Sequence, residues 1–220
     1  MTIEVFWGSG SPYSWRVLLA LEFKRLRYES HLLDLSKQEH KSSEMLKLNP
    51  RGRVPVLRDG EFVCYESLAI LSYLDRKYPQ HPLFGATAEQ AGDIMRFICE
   101  YQVYVEDHLN RIITAIFFGA LEQRLDEVNK SLEIVVAEAR AFEGRLTQSE
   151  WLVDDGCSAA DIMIFPSIKI MQRALARRDA DELQTPFEPL EPNFPMIAAW
   201  LRRMEALPGY ERTYPPHWRA

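Results

Sequence analysis

The hydrophobic rhythm of this chain changes once, at 79-PQHPLFG-85, and that change limits its possible folds more than any other feature. Before it the apolar runs are short and cut by turn residues. 3-IEVFW-7 reads as a strand, followed by the breaker run 8-GSGSP-12 and a helix from Tyr13 to Lys24 with Trp15, Val17, Leu18, Ala20 and Leu21 on a broad face. 27-RYESHLLDL-35 alternates in part and reads as a second strand; a short polar helix covers Lys41 to Leu48, until Asn49 and Pro50 interrupt it. Val54–Leu57 and Phe62–Tyr65 flank 58-RDGE-61, and Asp-Gly between apolar segments is a strong hairpin signal. A helix starts at Ser67 with Leu68, Ile70, Leu71 and Leu74 facing a core. The order β-α-β-(α)-β-β-α describes a small α/β domain with an antiparallel edge, over residues 1–80.

After the switch every long segment has helical periodicity. Helices are expected within 87–121, from Leu125 to Leu146, over 158-SAADIMIFPSIKIMQRAL-175, where Pro166 could bend the axis, and over 195-PMIAAWLRRMEAL-207. Pro195 opens the last of these and 208-PG-209 closes it. Residues 87–220 are thus expected to form a second, all-α domain.

Composition narrows the function. Of 220 residues, 47% are hydrophobic and 26% charged, which suits a soluble protein with a sizeable core and argues against extended disorder. Twenty-six basic against 32 acidic side chains give a net charge of -6, and no Lys/Arg tract carries interleaved aromatics, so no nucleic-acid partner is expected. No run of eighteen apolar residues suggests a membrane helix, and MTIEVFWGSG lacks the pattern of a secretory signal. Cys64, Cys99 and Cys157 are odd in number and widely spaced, as expected of thiols in a reducing compartment; the cytoplasm is the expected location. His108 and His217 lack Cys/His partners at ligand spacing, so no metal site is expected.

The stretch 8-GSGSPYSWRV-17 carries the chemistry. Ser11 precedes a proline and a helix start, where backbone amides and the helix dipole favour an anion. Its hydroxyl could cap the helix or donate to a bound thiolate, two roles that compete for one small group. A serine-hydrolase reading is poorer, since there is no GxSxG elbow and no Asp and His are suitably placed.

Four ordered motifs, 11-SPYSWRV-17, 49-NPRGRVPVL-57, 66-ESLAI-70 and 158-SAADI-162, together resemble the cytosolic glutathione transferase family across the whole chain. The resemblance implies a thioredoxin-like domain followed by a helical one. The first motif is similar to the active-site region of zeta and tau members, which makes Ser11 the candidate catalytic residue, with Tyr13 and Ser14 as alternate hydroxyl donors. Pro12 and Tyr13 stand where the zeta form has Ser and Cys. SPYS also resembles CPYC and CPYS motifs with the leading thiol removed, so mixed-disulfide chemistry should be weak.

The resemblance further implies that glutathione is the cosubstrate. Pro55 is expected to be cis, which would turn the Val54 N–H and C=O toward the cysteinyl part. Glu66 would pair with the α-ammonium, and Ser67 with the helix-start amides would take the α-carboxylate. Lys41, His40 and Arg53 are candidates for the glycyl carboxylate. Ser158 and Asp161 have the spacing of a capping box and are assigned to folding. The electrophile would sit between the domains, near Tyr101, Tyr104, His108 and Phe117, and the tail 210-YERTYPPHWRA-220 either covers that cleft or packs elsewhere. The family's two-fold homodimer is expected, with Arg96 and Tyr65 as interface candidates. The implied activity is addition of glutathione thiolate to a small, largely apolar electrophile. Isomerisation of a maleylacetoacetate-type diketo acid and a noncatalytic binding role are the alternatives.

Overall fold

The computed structural model describes residues 2–153, 156–177, 180 and 183–219. Its contacts divide the chain into two units: Met1–Phe84 together with Leu207–Ala220, and Gly85–Ala206. The sequence places 207–220 with the helical domain, whereas the contacts group it with the α/β unit.

In the first unit, β1 (Ile3–Trp7), β2 (Tyr28–Leu32), β3 (Val56–Asp59) and β4 (Phe62–Tyr65) form one sheet in the order β2-β1-β3-β4. β1 runs parallel to β2, with Val5 opposite Ser30. It runs antiparallel to β3, with Phe6 opposite Val56 and Val5 opposite Leu57. β3 and β4 make the expected hairpin, Val56 facing Tyr65, and Gly60 at φ 63° supplies the left-handed turn residue. α1 (Pro12–Phe23) buries every residue from Ser14 to Glu22, so its apolar face is effectively its whole circumference. It packs on α3 (Ser67–Lys77) and on the short tail helix, which spans Tyr210–Thr213. Lys24, at the end of α1, is buried, and Asp75 (3.1 Å) with the Gln80 and His81 carbonyls (2.9 and 3.0 Å) satisfies its ammonium. The expected polar helix at 41–48 is a 3-10 turn, Glu39–Lys41, followed by α2 (Ser43–Leu48).

The second unit is helical: α4 (Ala88–Tyr101), α5 (Asp107–Phe117), α6 (Leu125–Leu146), α7 (Ala159–Leu175) and α8 (Pro195–Glu205). The apolar run at 87–121 is two helices joined through a π-helical turn at Gln102–Glu106. α7 continues through Pro166. At its start Asp161, fully buried, accepts from Ser158 N–H (2.9 Å), Ser158 O–H (2.9 Å), Leu152 N–H (3.1 Å) and Trp200 Nε1–H (2.8 Å). One carboxylate therefore ties the helix cap, the preceding loop and α8 together. Among the described residues no helix is long and apolar enough to cross a membrane.

Candidate active site

The sheet register gathers the motif residues. Because Val56 lies opposite both Phe6 and Tyr65, three segments emerge at the same end of the sheet: the turn after β1, the approach to β3 and the exit from β4. These segments are Gly8–Ser11, Val54–Pro55 and Glu66–Ser67.

Ser11 is the N-cap of α1, with Pro12 in the first turn and no acidic side chain there to compete for the helix dipole. The Ser14 N–H donates to Ser11 Oγ at 3.3 Å. That bond uses an oxygen lone pair and leaves the hydroxyl hydrogen, which has no acceptor among the described residues. The competition expected between capping and donation is therefore absent: the cap needs an acceptor and a thiolate needs a donor. Ser14 is buried and accepts from Gly8 N–H at 3.3 Å, tying down the turn from inside. Tyr13 is exposed, and the guanidinium of the buried Arg16 lies 4.7 Å from its ring centroid.

The Val54–Pro55 bond is cis. Pro55 is buried, and the Val54 N–H and C=O have no hydrogen-bond partner among the described residues. Glu66 is exposed and sits at φ 71°, ψ 115°, a region that disfavours any side chain. It precedes α3, which has no side-chain cap, and Ser67 is buried at the first position of that helix. Neither the Glu66 carboxylate nor the Ser67 hydroxyl has a partner among the described residues.

His40 and Lys41 occupy the 3-10 turn, and a Cβ on Gly52 would lie 3.3 Å from Lys41 Cγ and 3.8 Å from the His40 carbonyl, so this turn abuts the 49–53 loop. Lys41 and Arg53 are exposed, and neither has an ion-pair partner among the described residues. His40 is half-buried, with Nδ1 buried and unpartnered. The sequence treats Asn49 only as a helix breaker, yet its buried side chain shapes the loop. Nδ2 donates to the Arg53 carbonyl (2.9 Å), and Oδ1 accepts from Arg51 N–H (3.0 Å).

Elsewhere, Glu4, Glu29 and His31 bring three potential ligand atoms within 4.8 Å of one another. Arg58 holds both Glu4 oxygens at 2.6 Å, which leaves an ion-pair network rather than an open ligand set. In the helical unit a cavity of about 280 Å³ is lined by Phe97, Tyr101, Leu109, Phe142, Ile164 and Met171, among others. Of the four residues named for the electrophile, only Tyr101 lines it. Tyr104 is exposed, His108 Nδ1 lies 3.3 Å from Ser131 Oγ, and Phe117 carries the Arg177 guanidinium at 5.6 Å.

Residues 10–77 match the family described as glutathione S-transferase, N-terminal domain, and residues 97–208 match glutathione S-transferase, C-terminal domain. The probable glutathione S-transferase GSTF1 of Oryza sativa subsp. japonica is 30% identical over 96% of this chain and 94% of its own. The chain belongs to the glutathione S-transferase family. Glutathione S-transferase A of Pleuronectes platessa is 29% identical over 98% of this chain and 92% of its own length. Among solved structures, a glutathione S-transferase from the Antarctic clam Laternula elliptica superposes with a TM-score of 0.82 at 29% identity, covering 100% of this chain and 94% of that one. The fold is thus the glutathione transferase fold, and the enzyme class is transferase with glutathione as cosubstrate.

Proposed function

We propose that this transferase joins the thiolate of glutathione to small, largely apolar electrophiles, with Ser11 as the thiolate's hydroxyl donor. The observation that carries the assignment is the Ser11 O–H, left without an acceptor while its oxygen caps α1. A thiol is a poor nucleophile at neutral pH and its thiolate a good one, so a donor at a helix start lowers the barrier without metal or covalent enzyme intermediate. About 1.4 kcal/mol of such stabilisation lowers the thiol pKa by one unit. Ser14 is the weaker candidate because it is fully buried inside the turn, whereas Ser11 is only half-buried. Tyr13, exposed at the surface of the same turn, suits contact with the electrophile better than with sulfur.

The unpartnered groups account for the rest of the tripeptide. The Val54 N–H and C=O offer a strand-like pair to its cysteinyl unit. Glu66 takes the α-ammonium; Ser67 and the uncapped α3 amides take the α-carboxylate. Lys41, followed by His40 and Arg53, supplies positive charge for the glycyl carboxylate. This is a serine-type assignment of the zeta/tau kind, in a cytoplasmic homodimer with Arg96 and Tyr65 near the interface. The domain division expected from the sequence, 1–80 for glutathione and 87–220 for the electrophile, is kept with one change: the tail from Leu207 goes with the first unit.

The test is a glutathione-dependent screen with a chloronitroarene, an organic hydroperoxide, a dihaloalkane and maleylacetoacetate. Substitution products support conjugation. Rearranged maleylacetoacetate without substitution products would replace it with isomerisation, and glutathione binding without turnover would replace it with a binding role.

A further inference from the structure

The turn that carries Ser11 is held on two sides. On one side Gly8 packs so closely on Leu35 that an added Cβ would lie 2.6 Å from its Cδ1, and Gly8 N–H donates to Ser14 Oγ. The other side is formed by a residue more than two hundred positions away. Ser9 Oγ lies 2.6 Å from His217 Nδ1, and a Cβ on Gly10 would lie 2.8 Å from His217 Cε1. Gly10 is also at φ 80°, so only glycine meets both its backbone geometry and the approach of the imidazole.

His217 is held in place by α1 itself. Trp15, one residue beyond Ser14 and buried, donates from Nε1 to Thr213 Oγ1 at 2.8 Å. Tyr214 and Trp218 meet its ring edge-on, with centroids at 5.9 and 5.4 Å. Arg212 pairs with the buried Glu22 of α1, which also accepts from Tyr28 OH at 3.0 Å. The contacts close a ring: Ser11 starts α1, α1 seats the tail, and the tail returns through His217 to the two residues before Ser11.

We propose that His217 is a positioning residue for this active site, holding Ser9 and Gly10 so that the Ser11 hydroxyl keeps its aim. The proposal rests on the assignment of Ser11 as thiolate donor. With its proton on Nε2, the imidazole accepts the Ser9 O–H at Nδ1. This bond is exposed, so its loss changes global stability little, and the Trp15 contacts keep the tail seated when the imidazole is removed. What changes is the freedom of the turn, and catalysis is sensitive to small displacements of a positioned group.

The experiment compares His217→Ala, Ser9→Ala, their double variant, His217→Asn and Ser11→Ala. Its readouts are kcat, KM for glutathione, thermal midpoint, and the acidity of the bound thiol followed by thiolate absorbance. Each alanine variant at 9 or 217 should lower kcat about five-fold, as expected for one hydrogen bond that acts on the barrier. The bound thiol should become less acidic, while KM and the midpoint hold. The double variant should lose no more than either single one. Asn at 217, whose amide oxygen can replace Nδ1 as acceptor, should recover most of the rate.

Wild-type kcat and thiol acidity in His217→Ala, or losses that multiply in the double variant, would overturn the proposal. If His217→Ala does not fold, Ser9→Ala tests the same hydrogen bond by the same readouts, and wild-type values there overturn the proposal equally. A damaging Ser11→Ala beside a silent His217→Ala rejects only the positioning role. A silent Ser11→Ala in an active enzyme rejects the thiolate assignment, and the positioning role with it.

Discussion

The Ser11 oxygen has two lone pairs and one hydrogen, and the bond from Ser14 N–H uses one lone pair. Removing the oxygen therefore has two separable effects. Ser11→Ala should cost about 1 kcal/mol of stability through the lost cap. It should also lower kcat by about ten- to a hundred-fold through the lost donor, with a raised thiol pKa in the glutathione complex and binding retained. Ser11→Thr keeps both functions of the oxygen and should keep most of both. Chemical denaturation and a pH titration of the bound thiol separate the two effects. At Glu66 the signs oppose. Its φ of 71° strains any side chain by about 1–3 kcal/mol, so Glu66→Gly should raise stability by about 1 kcal/mol once glycine's chain entropy is subtracted, while KM for glutathione rises severalfold. A variant that is less stable and binds normally would refute both the strain and the ligand role. The positions of Ser11 at the start of α1, of the cis bond at Val54–Pro55 and of Glu66–Ser67 at the start of α3 were legible because each sits in a short contiguous motif. Asn49 and His217 were not: the role of one is a loop's internal geometry, and the other reaches Ser9 across 208 positions that leave no local pattern.

Elements were legible where a local rule governs them. The Asp-Gly hairpin formed because Gly60 can take the left-handed turn position, and the S-x-x-D start of α7 because the Ser158 and Asp161 side chains accept from nearby backbone N–H groups. The π-helical turn at Gln102–Glu106 was not legible, since it changes hydrogen-bond register without interrupting the apolar pattern. Asp161 is more than a cap, because Trp200 of α8 and Leu152 of the preceding loop share its Oδ1. Asp161→Ala would leave those buried donors without an acceptor, at a cost of about 3 kcal/mol. At roughly 2–4 °C per kcal/mol for a chain of this size, the thermal midpoint should fall by about 6–12 °C. Calorimetry on the variant checks this; an unchanged midpoint would remove Asp161 from the framework. Ser158→Ala should cost less, because it removes one donor and one acceptor from the cap and leaves Oδ1 with both partners.

Across the whole molecule, acid should act on the two units with opposite signs. In the first unit, burial would push the Asp59 carboxyl up, but the Lys77 ammonium (2.8 Å) and the Tyr78 and Tyr73 hydroxyls (2.7 and 3.0 Å) together outweigh it and hold the pKa below its usual value. The hydrogen bonds from Arg58 likewise depress Glu4 against a smaller burial effect. A depressed carboxyl stabilises the fold above its unfolded pKa, about 4 for Asp and Glu, and loses that contribution as pH falls through the folded value. In the second unit Asp161 is shifted upward, chiefly by burial, with its four hydrogen bonds opposing. Its contribution is therefore fully present below the unfolded pKa and declines as pH rises through the folded one. As pH falls below about 4 the sheet unit should thus lose stability while protonation of Asp161 does not weaken α7. Hydrogen exchange read by peptide should show β1, β3 and β4 losing protection first as the solution is acidified, with α7 and α8 retaining theirs. Asp59→Asn, which cannot change charge in this range, should flatten the acid dependence of the first unit at the cost of stability near neutrality. Loss of α7 protection at the same pH as β3, or an acid profile unaltered by Asp59→Asn, would show that these carboxyls do not set the order of unfolding.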